Sequence, residues 1–434
     1  MLYERWRRIA REYQNEMALR DAGRGEQWTF GQLAKLTEKA DVPPKPIAYP
    51  TGICGLFVLD VLKAWRSGQV VCPLEPGQAA PAISSIPPGV VHLKLTSATT
   101  GAQKLVAFTA AQLMADADQI VQSMGLRPEW PNFGVISLAH SYGFSNLITP
   151  LLLHGIPLIL SDSALPESLR QVSTAIKEGI TLPAVPALWR IWHEAHAITA
   201  QVRLAISAGA PLPLKLEDAV FSRSGIKIHN FYGATECGGI AYDVTSSPRT
   251  DPACVGSPMC NVKLKTGKDG RLEVRSAAVA KTYWPKPSSD LRNGVFRTTD
   301  IAELNGNLVY LRGRLTDQIN IAGRKVFPET IERVLLTHPQ VKECVVFGVN
   351  SAELERVENI VACVATRSAI ELRELQQFAL AHLPAWQVPR QWWLVRAIRS
   401  NARGKVARAE LREKYLERLK RERVKGEKAH RFVI

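Results

Sequence analysis

Residues 96–104 read Thr-Ser-Ala-Thr-Thr-Gly-Ala-Gln-Lys, gathering hydroxyls, a glycine and a lysine in one short stretch. Hydroxyls can donate to phosphate oxygens, glycine allows close wrapping of the backbone, and lysine adds a compact positive charge. The stretch is therefore a candidate polyphosphate-gripping loop, with Thr96, Ser97, Thr99, Thr100, Gly101 and Lys104 as its binding groups. The same residue types also make ordinary loops, so other stretches must decide. In Asn-Phe-Tyr-Gly-Ala-Thr-Glu at 230–236, an aromatic face, a hydroxyl and a carboxylate fall close together at Tyr232, Thr235 and Glu236. Such a set can stack a base, touch a phosphate and hold Mg²⁺. His140 follows an apolar run and is either a core histidine or a functional one. Gly209 and Ala210 sit in a small-residue turn that permits close approach of a ligand to the backbone, and Lys405 is the one lysine of a polar loop at 400–406.

These groups need a frame. Residues 90–95 and 105–109 both read as short strands rich in β-branched residues, so the hydroxyl-rich loop joins strand to strand. A Walker-type loop instead needs a glycine directly before its lysine and a helix directly after it. Upstream, a strand end at 28–29 passes into a helix, an apolar helix spans 55–65, and a buried strand follows at 70–74. Thr109 can cap a helix whose Leu113, Ala117, Ile120, Val121 and Met124 share one face. Strands are expected at 135–138, before the turn that carries His140, at 204–208, and at 226–229. The alternation makes the fold class α/β. From 255 to 310 the pattern turns to hairpins, and a boundary is expected at 313–317. Beyond it come a hairpin to Val326, a helix from Pro328, strands at 344–349 and 359–366, a helix from Glu371, and a basic helix over 412–431.

A chain of 434 residues with 46% hydrophobic and 22% charged residues can bury at least one large core and excludes disordered and fibrous classes. No stretch reaches a membrane-spanning length without interruption and the N-terminus lacks a signal-like apolar run, so a cytoplasmic protein is expected. Seven cysteines without a Cys-x-x-Cys pair argue for reduced thiols rather than disulfides or structural zinc. The net charge of +15 is concentrated in the C-terminal helix, which reads as a solvated face rather than a nucleic-acid or membrane surface. It also suits a phosphate-bearing substrate or an acidic protein partner.

Several separated stretches match one family in the same order. TSATTGAQK, SAGAPLP, NFYGATE, TTD at 298–300, GRLTDQINIAGRKVFPETIE from Gly313, and NARGKV resemble motifs of the adenylate-forming superfamily of acyl- and aryl-CoA synthetases, adenylation domains and luciferases. The resemblance implies a large N-terminal adenylating domain of α/β subdomains plus a β-rich region at 1–313, a hinge at 314–316, and a small mobile α+β C-terminal domain at 317–434. It implies that residues 96–104 hold the β- and γ-phosphates of ATP, Tyr232 stacks on adenine, Thr235 meets the α-phosphate and Glu236 binds Mg²⁺. Asp300 and Arg314 would hold the ribose, and Lys405 would bridge the acid and the α-phosphate. His140 and Gly209 would line the acyl pocket, with Cys237, Gly238, Gly239 and Ile240 beside them. Thr316 would be the hinge of a domain alternation, and the Gly323 loop would face the thiol channel. The implied activity is ATP-dependent activation of a small-molecule carboxylic acid, then transfer to a thiol of coenzyme A. Alternatives are a carrier-protein phosphopantetheine, hence an acyl carrier protein as partner, or adenylation alone. The departures Ala98, Gln103, Thr299 and Thr316 keep a degenerate nucleotide- or acyl-binding protein as a further alternative.

Overall fold

The computed structural model describes residues 1–96, 104–351, 357–398 and 408–424. Its largest sheet has nine strands, in the order Ser257–Pro258, Gly238–Tyr242, Ile228–Ala234, Val202–Ser207, Ile180–Ala184, Asn132–Gly134, Leu158–Leu160, Met17–Asp21 and Glu26–Thr29. Pairing is parallel from Met17–Asp21 through to Ile228–Ala234 and antiparallel at the two outer edges. From Asn132–Gly134 the chain goes first to Leu158–Leu160 on one side and then to Ile180–Ala184 on the other, so the strand order reverses there. In open α/β sheets the crevice outside the C-terminal strand ends at such a reversal is where ligands bind. Here those ends lead into His140, Gly209 and Tyr232.

A second sheet runs in the order Thr282–Trp284, Leu105–Thr109, Val90–Leu95, Val70–Val71 and Ile47–Ala48, and carries the hydroxyl-rich loop between two antiparallel neighbours. Helix Ala110–Met124 leaves this sheet through a capping box in which Thr109 and Gln112 satisfy each other's backbone N–H groups. It buries Leu113, Ala117, Ile120 and Met124 of the face expected from their spacing, and Val121 is half-buried. Thr29 and Gln32 make the same box ahead of helix Phe30–Lys39, and Gly68 ends helix Gly55–Ser67 in a left-handed conformation. A third, five-stranded sheet holds Lys263–Thr266, Arg271–Arg275, Val295–Asn305, Leu291–Arg292 and Leu308–Arg314.

After a short 3₁₀ turn at Leu315–Asp317 come the hairpin Ile319–Ile321 with Arg324–Val326, helix Pro328–Leu335, and a three-stranded sheet of Val341–Asn350, Glu358–Thr366 and Gln391–Val395. Helix Leu372–His382 packs with Pro328–Leu335 on one face of that sheet, around Ile331, Leu335, Val346 and Leu375. Helix Arg408–Val424 covers the other face through Tyr415. All seven cysteines are free thiols. Among the described residues no helix is long and apolar enough to cross a membrane.

Three expected elements differ. The strand expected over 135–138 lies at Asn132–Gly134. Residues 135–138 instead pass under the turn at Gly143, where an added Cβ would stand 2.0 Å from the Ser137 carbonyl oxygen. The strand expected over 70–74 is regular only at Val70–Val71, although the Cys72 and Leu74 N–H groups go on to donate to Ala48 and Pro50; Pro73 has no N–H for the opposite side, where pairing ends at Val71–His92. The strand expected at 226–229 runs on to Ala234, so residues 230–234 are one arm of a hairpin. Helix Leu2–Glu12 and strand Gln391–Val395 had no sequence expectation.

The strand before the loop buries two polar side chains on one face, His92 and Lys94. His92 packs against Phe108 and Phe144, and neither ring nitrogen has a hydrogen-bond partner among the described residues. Burial, and then the Lys94 charge, hold its pKa well below the ordinary 6.5, so the folded chain keeps it neutral. The unfolded chain gains that proton as pH falls through 6.5, so acidification destabilises the native state by about 1.4 kcal/mol per pH unit below that point. His92→Phe is expected to flatten the stability profile by that slope in urea titrations between pH about 7.5 and 5.5. Parallel profiles for the two proteins would contradict the assignment.

Candidate active site

The loop is closed at its neck by two reciprocal contacts. The Thr96 N–H donates to the Lys104 carbonyl at 2.9 Å, and the Lys104 N–H donates to Thr96 Oγ1 at 3.1 Å, continuing the Leu95–Leu105 register. Ser97, Ala98, Thr99, Thr100, Gly101 and Gln103 lie outside the described residues. Lys104 Nζ stands over the Tyr283 ring, 5.1 Å from its centroid. The Tyr283 hydroxyl in turn donates to Glu236 Oε1 at 2.8 Å. Tyr283 thus joins the loop lysine to the candidate metal-binding carboxylate, a role with no motif in the sequence. Its placement follows from the pairing of Thr282–Trp284 with Leu105–Thr109, an edge contact between strands far apart in the chain.

Glu236 occupies the tight turn between Ile228–Ala234 and Gly238–Tyr242, beside Thr235, and its carbonyl accepts the Ala280 N–H at 2.8 Å. Burial pushes the Glu236 carboxyl pKa up and the nearby Asp300 charge adds to this, while the Tyr283 hydroxyl and Lys104 oppose it. Tyr232, on the arm leading into the turn, donates its hydroxyl to Asp300 Oδ2 at 2.5 Å. Arg314 Nε donates to the other oxygen, Oδ1, at 3.1 Å, and the two residues are cross-strand partners on Val295–Asn305 and Leu308–Arg314. Burial and the Asp300 charge both raise the Tyr232 pKa, so the phenol stays a donor. Lys104, Tyr283 and Glu236 therefore form one polar cluster and Tyr232, Asp300 and Arg314 a second, drawn together from all three N-terminal sheets, with Tyr232 and Glu236 on one hairpin. Tyr283→Phe is expected to weaken ATP binding in the presence of Mg²⁺ by about 10-fold, the loss of one hydrogen bond to a charged group. Calorimetric titration with ATP checks this, and unchanged affinity would remove Tyr283 from the site.

His140 begins the helical turn Ser141–Gly143, at the sheet's strand-order reversal. Its Nε2 lies 3.5 Å from Glu75 Oε1, which also accepts the Ser137 hydroxyl at 2.8 Å. Tyr142 packs against Phe231 and aims its hydroxyl at the carbonyls of Ala184 and Ile206, both at 3.4 Å, so it bridges the ends of adjacent parallel strands. Gly209, at φ +86° and solvent-exposed, and half-buried Ala210 follow the end of Val202–Ser207. Cys237, Gly238, Gly239 and Ile240 are all buried behind the Glu236 turn.

The remaining sites lie toward the C-terminus. Thr316 sits in the 3₁₀ turn Leu315–Asp317. Gly323, at φ +82°, closes the hairpin with Ala322 at φ +49° and donates its N–H to Asn320 Oδ1 at 2.9 Å. Lys405 lies outside the described residues. Arg408, three residues on, pairs with Asp317, with Glu329 at 3.0 Å and with Glu332 at 2.8 Å.

The fold, with its three N-terminal sheets followed by a small α+β unit, is that of adenylate-forming enzymes. Crystallised ATP-bound MatB from Rhodopseudomonas palustris superposes with a TM-score of 0.83 at 19% identity, covering 96% of this chain and 99% of that one. The chain belongs to the AMP-binding enzyme family, whose model matches residues 63–284, and the model of the AMP-binding enzyme C-terminal domain matches 330–405. Among curated proteins it is similar to a probable 2-succinylbenzoate–CoA ligase of Mycobacterium tuberculosis, 27% identical over 73% of this chain and 82% of that protein. It is also similar to a feruloyl-CoA synthase of Amycolatopsis sp., 26% identical over 75% of this chain and 70% of that protein.

Proposed function

We propose that this chain activates a small carboxylic acid with ATP, releasing pyrophosphate, and passes the acyl group from the adenylate to a thiol. The observation that carries the reading is the pair of polar clusters, Lys104–Tyr283–Glu236 and Tyr232–Asp300–Arg314, which meet on one hairpin and offer groups suited to the parts of a nucleotide. Tyr232 offers its ring to adenine, and Asp300, oriented by Arg314, has carboxylate lone pairs to accept ribose hydroxyls. Thr96, Lys104 and the hydroxyls of the loop hold the β- and γ-phosphates, with Thr235 at the α-phosphate. One half-buried carboxylate near a phosphate-binding lysine suits Mg²⁺, which keeps most of its other ligands as water and phosphate. Glu236 would hold that ion, which, when bound, neutralises phosphate charge.

A carboxylate oxygen attacks the α-phosphorus in line, the bond to the bridging oxygen breaks, and pyrophosphate leaves with the electron pair. Both reactants are anionic, so the residues serve chiefly to neutralise and align. Lys405 is assigned to the acid and the α-phosphate. The thiol then adds to the adenylate carbonyl, AMP departs, and the thiol proton goes to solvent. Residues 1–313 carry the nucleotide and acyl sites, 314–316 are the hinge, and 317–434 move as a unit about Thr316, withdrawing Lys405 and presenting the Gly323 loop. Coenzyme A is the favoured acceptor, as the names of the relatives suggest, and carrier-protein phosphopantetheine is the alternative. His140, Gly209 and Ala210 line the acid pocket.

The test is ATP-dependent pyrophosphate release across a panel of aryl, arylalkenyl and dicarboxylic acids, followed by transfer to coenzyme A and to a carrier protein. Acid-dependent release with thioester formation is expected. Absence of release with every acid in the panel, alongside intact ATP binding, would leave a nucleotide-binding protein instead.

A further inference from the structure

Beneath the Glu236 turn lies a buried chain of hydrogen bonds that no step above uses. Lys94 Nζ donates to Ser145 Oγ at 3.0 Å, the Ser145 hydroxyl donates to Asp116 Oδ2 at 2.6 Å, and Asp116 Oδ1 accepts the Gly239 N–H at 3.2 Å. The Lys94 and Asp116 side chains are only 2% and 3% exposed, with their charges 4.0 Å apart. Lys94, Ser145 and Gly239 belong to elements that carry or adjoin parts of the candidate site, and Asp116, on helix Ala110–Met124, joins them. Lys94 is two residues before Thr96, on the strand that enters the phosphate loop. Ser145 is on the π-helical turn Phe144–Ile148 that continues from His140, and such turns recur at functional sites. Gly239 is three residues beyond Glu236, on the returning arm of its hairpin. The fit leaves no slack: Gly238 sits at φ +68°, and an added Cβ would stand 1.9 Å from Asp116 Oδ1.

Stability alone is a poor account of this arrangement. Taking an ammonium and a carboxylate out of water is costly, and apolar side chains of similar volume usually hold packed elements at least as well. What apolar groups cannot supply is direction. Asp116 fixes where one particular N–H points, and the Lys94–Ser145 path fixes Asp116. We propose that Lys94, Ser145 and Asp116 are positioning residues that set the Glu236 turn against the phosphate loop, so that nucleotide and metal are bound in register. The inference rests on the nucleotide reading of the site.

Two paired variants separate direction from charge burial. Lys94→Met/Asp116→Asn removes both charges but keeps an oxygen acceptor for Gly239, whereas Lys94→Met/Asp116→Leu removes the acceptor as well. Calorimetric titration with ATP over a range of Mg²⁺ concentrations, together with a urea midpoint for each protein, reads the result. The Asn-containing pair is expected to bind within about 3-fold of wild type, and the Leu-containing pair about 10-fold more weakly with a raised Mg²⁺ requirement, in line with the sensitivity of aligned sites to small displacements. Equal affinity in the two variants overturns the proposal, whether both match wild type or both fall in step with their urea midpoints. Should the Leu-containing pair not fold, Ser145→Ala breaks the same path without stranding the Gly239 N–H. It must then weaken ATP binding by about 3-fold, and unchanged binding overturns the proposal. Failure of the wild-type chain itself to bind ATP would instead overturn the nucleotide reading.

Discussion

Lys405→Ala is expected to lower acid-dependent pyrophosphate release by about 10²–10³-fold while leaving thiolysis of a preformed acyl-adenylate within about 3-fold of wild type. The magnitude is that of removing one preorganised charge from the point where charge develops in a transition state. The asymmetry follows from the chemistry. Adenylation brings a carboxylate against a phosphate, two anions that need a cation between them, whereas thiolysis attacks a carbonyl already activated by its AMP leaving group. Arg408, three residues beyond Lys405 in the chain, is clamped by Asp317, Glu329 and Glu332, so the start of helix Arg408–Val424 is tied to the turn that follows the proposed hinge and to helix Pro328–Leu335. Asp317 is adjacent to Thr316. Burial would lower the Arg408 pKa, but its three carboxylate partners raise it overall and keep the clamp charged. Rapid-quench measurement of the two half-reactions checks the prediction, and equal losses in both would remove Lys405 from its role.

Glu236→Gln is expected to cut pyrophosphate release by about 10²-fold and to raise the Mg²⁺ concentration needed for half-maximal release. The substitution preserves volume and the acceptor for the Tyr283 hydroxyl, so the hairpin should stay in place. What it removes is the negative charge. The lost effect should therefore be partly recovered at high Mg²⁺, which separates it from a folding defect. A variant whose metal requirement matches wild type would show that Glu236 holds no metal.

Much of this organisation was legible in the chain itself because local physics wrote it there. Thr109 and Gln112 announce a capping box, the hydroxyl-rich stretch sits between two β-branched runs, and the hairpin that ends at Val326 turns on Ala322-Gly323. Other features depend on what lies above a strand rather than within it. The alternation Val91, His92, Leu93, Lys94 puts the two polar residues on one face, but nothing in the run says that helix Ala110–Met124 and the turn after His140 will cover that face. Tyr283 was hidden for a related reason: its partners Glu236 and Lys104 are brought to it by the pairing of Thr282–Trp284 with Leu105–Thr109, across most of the N-terminal half. The apolar run at 135–138 misled because an apolar stretch under a tight glycine turn and a buried strand have the same composition. The pairing of Asp300 with Arg314 needed only the register of one hairpin, which is why two residues from separate motifs meet side by side.

The most direct test of the central claim follows oxygen. A carboxylic acid that supports turnover, labelled with ¹⁸O in its carboxyl group, is incubated with the protein, ATP, Mg²⁺ and a thiol acceptor, and the products are resolved by mass spectrometry. Attack of the carboxylate on the α-phosphorus predicts one labelled oxygen in AMP and none in pyrophosphate. Label in inorganic phosphate, or thioester formed with unlabelled AMP, would contradict an acyl-adenylate at this site.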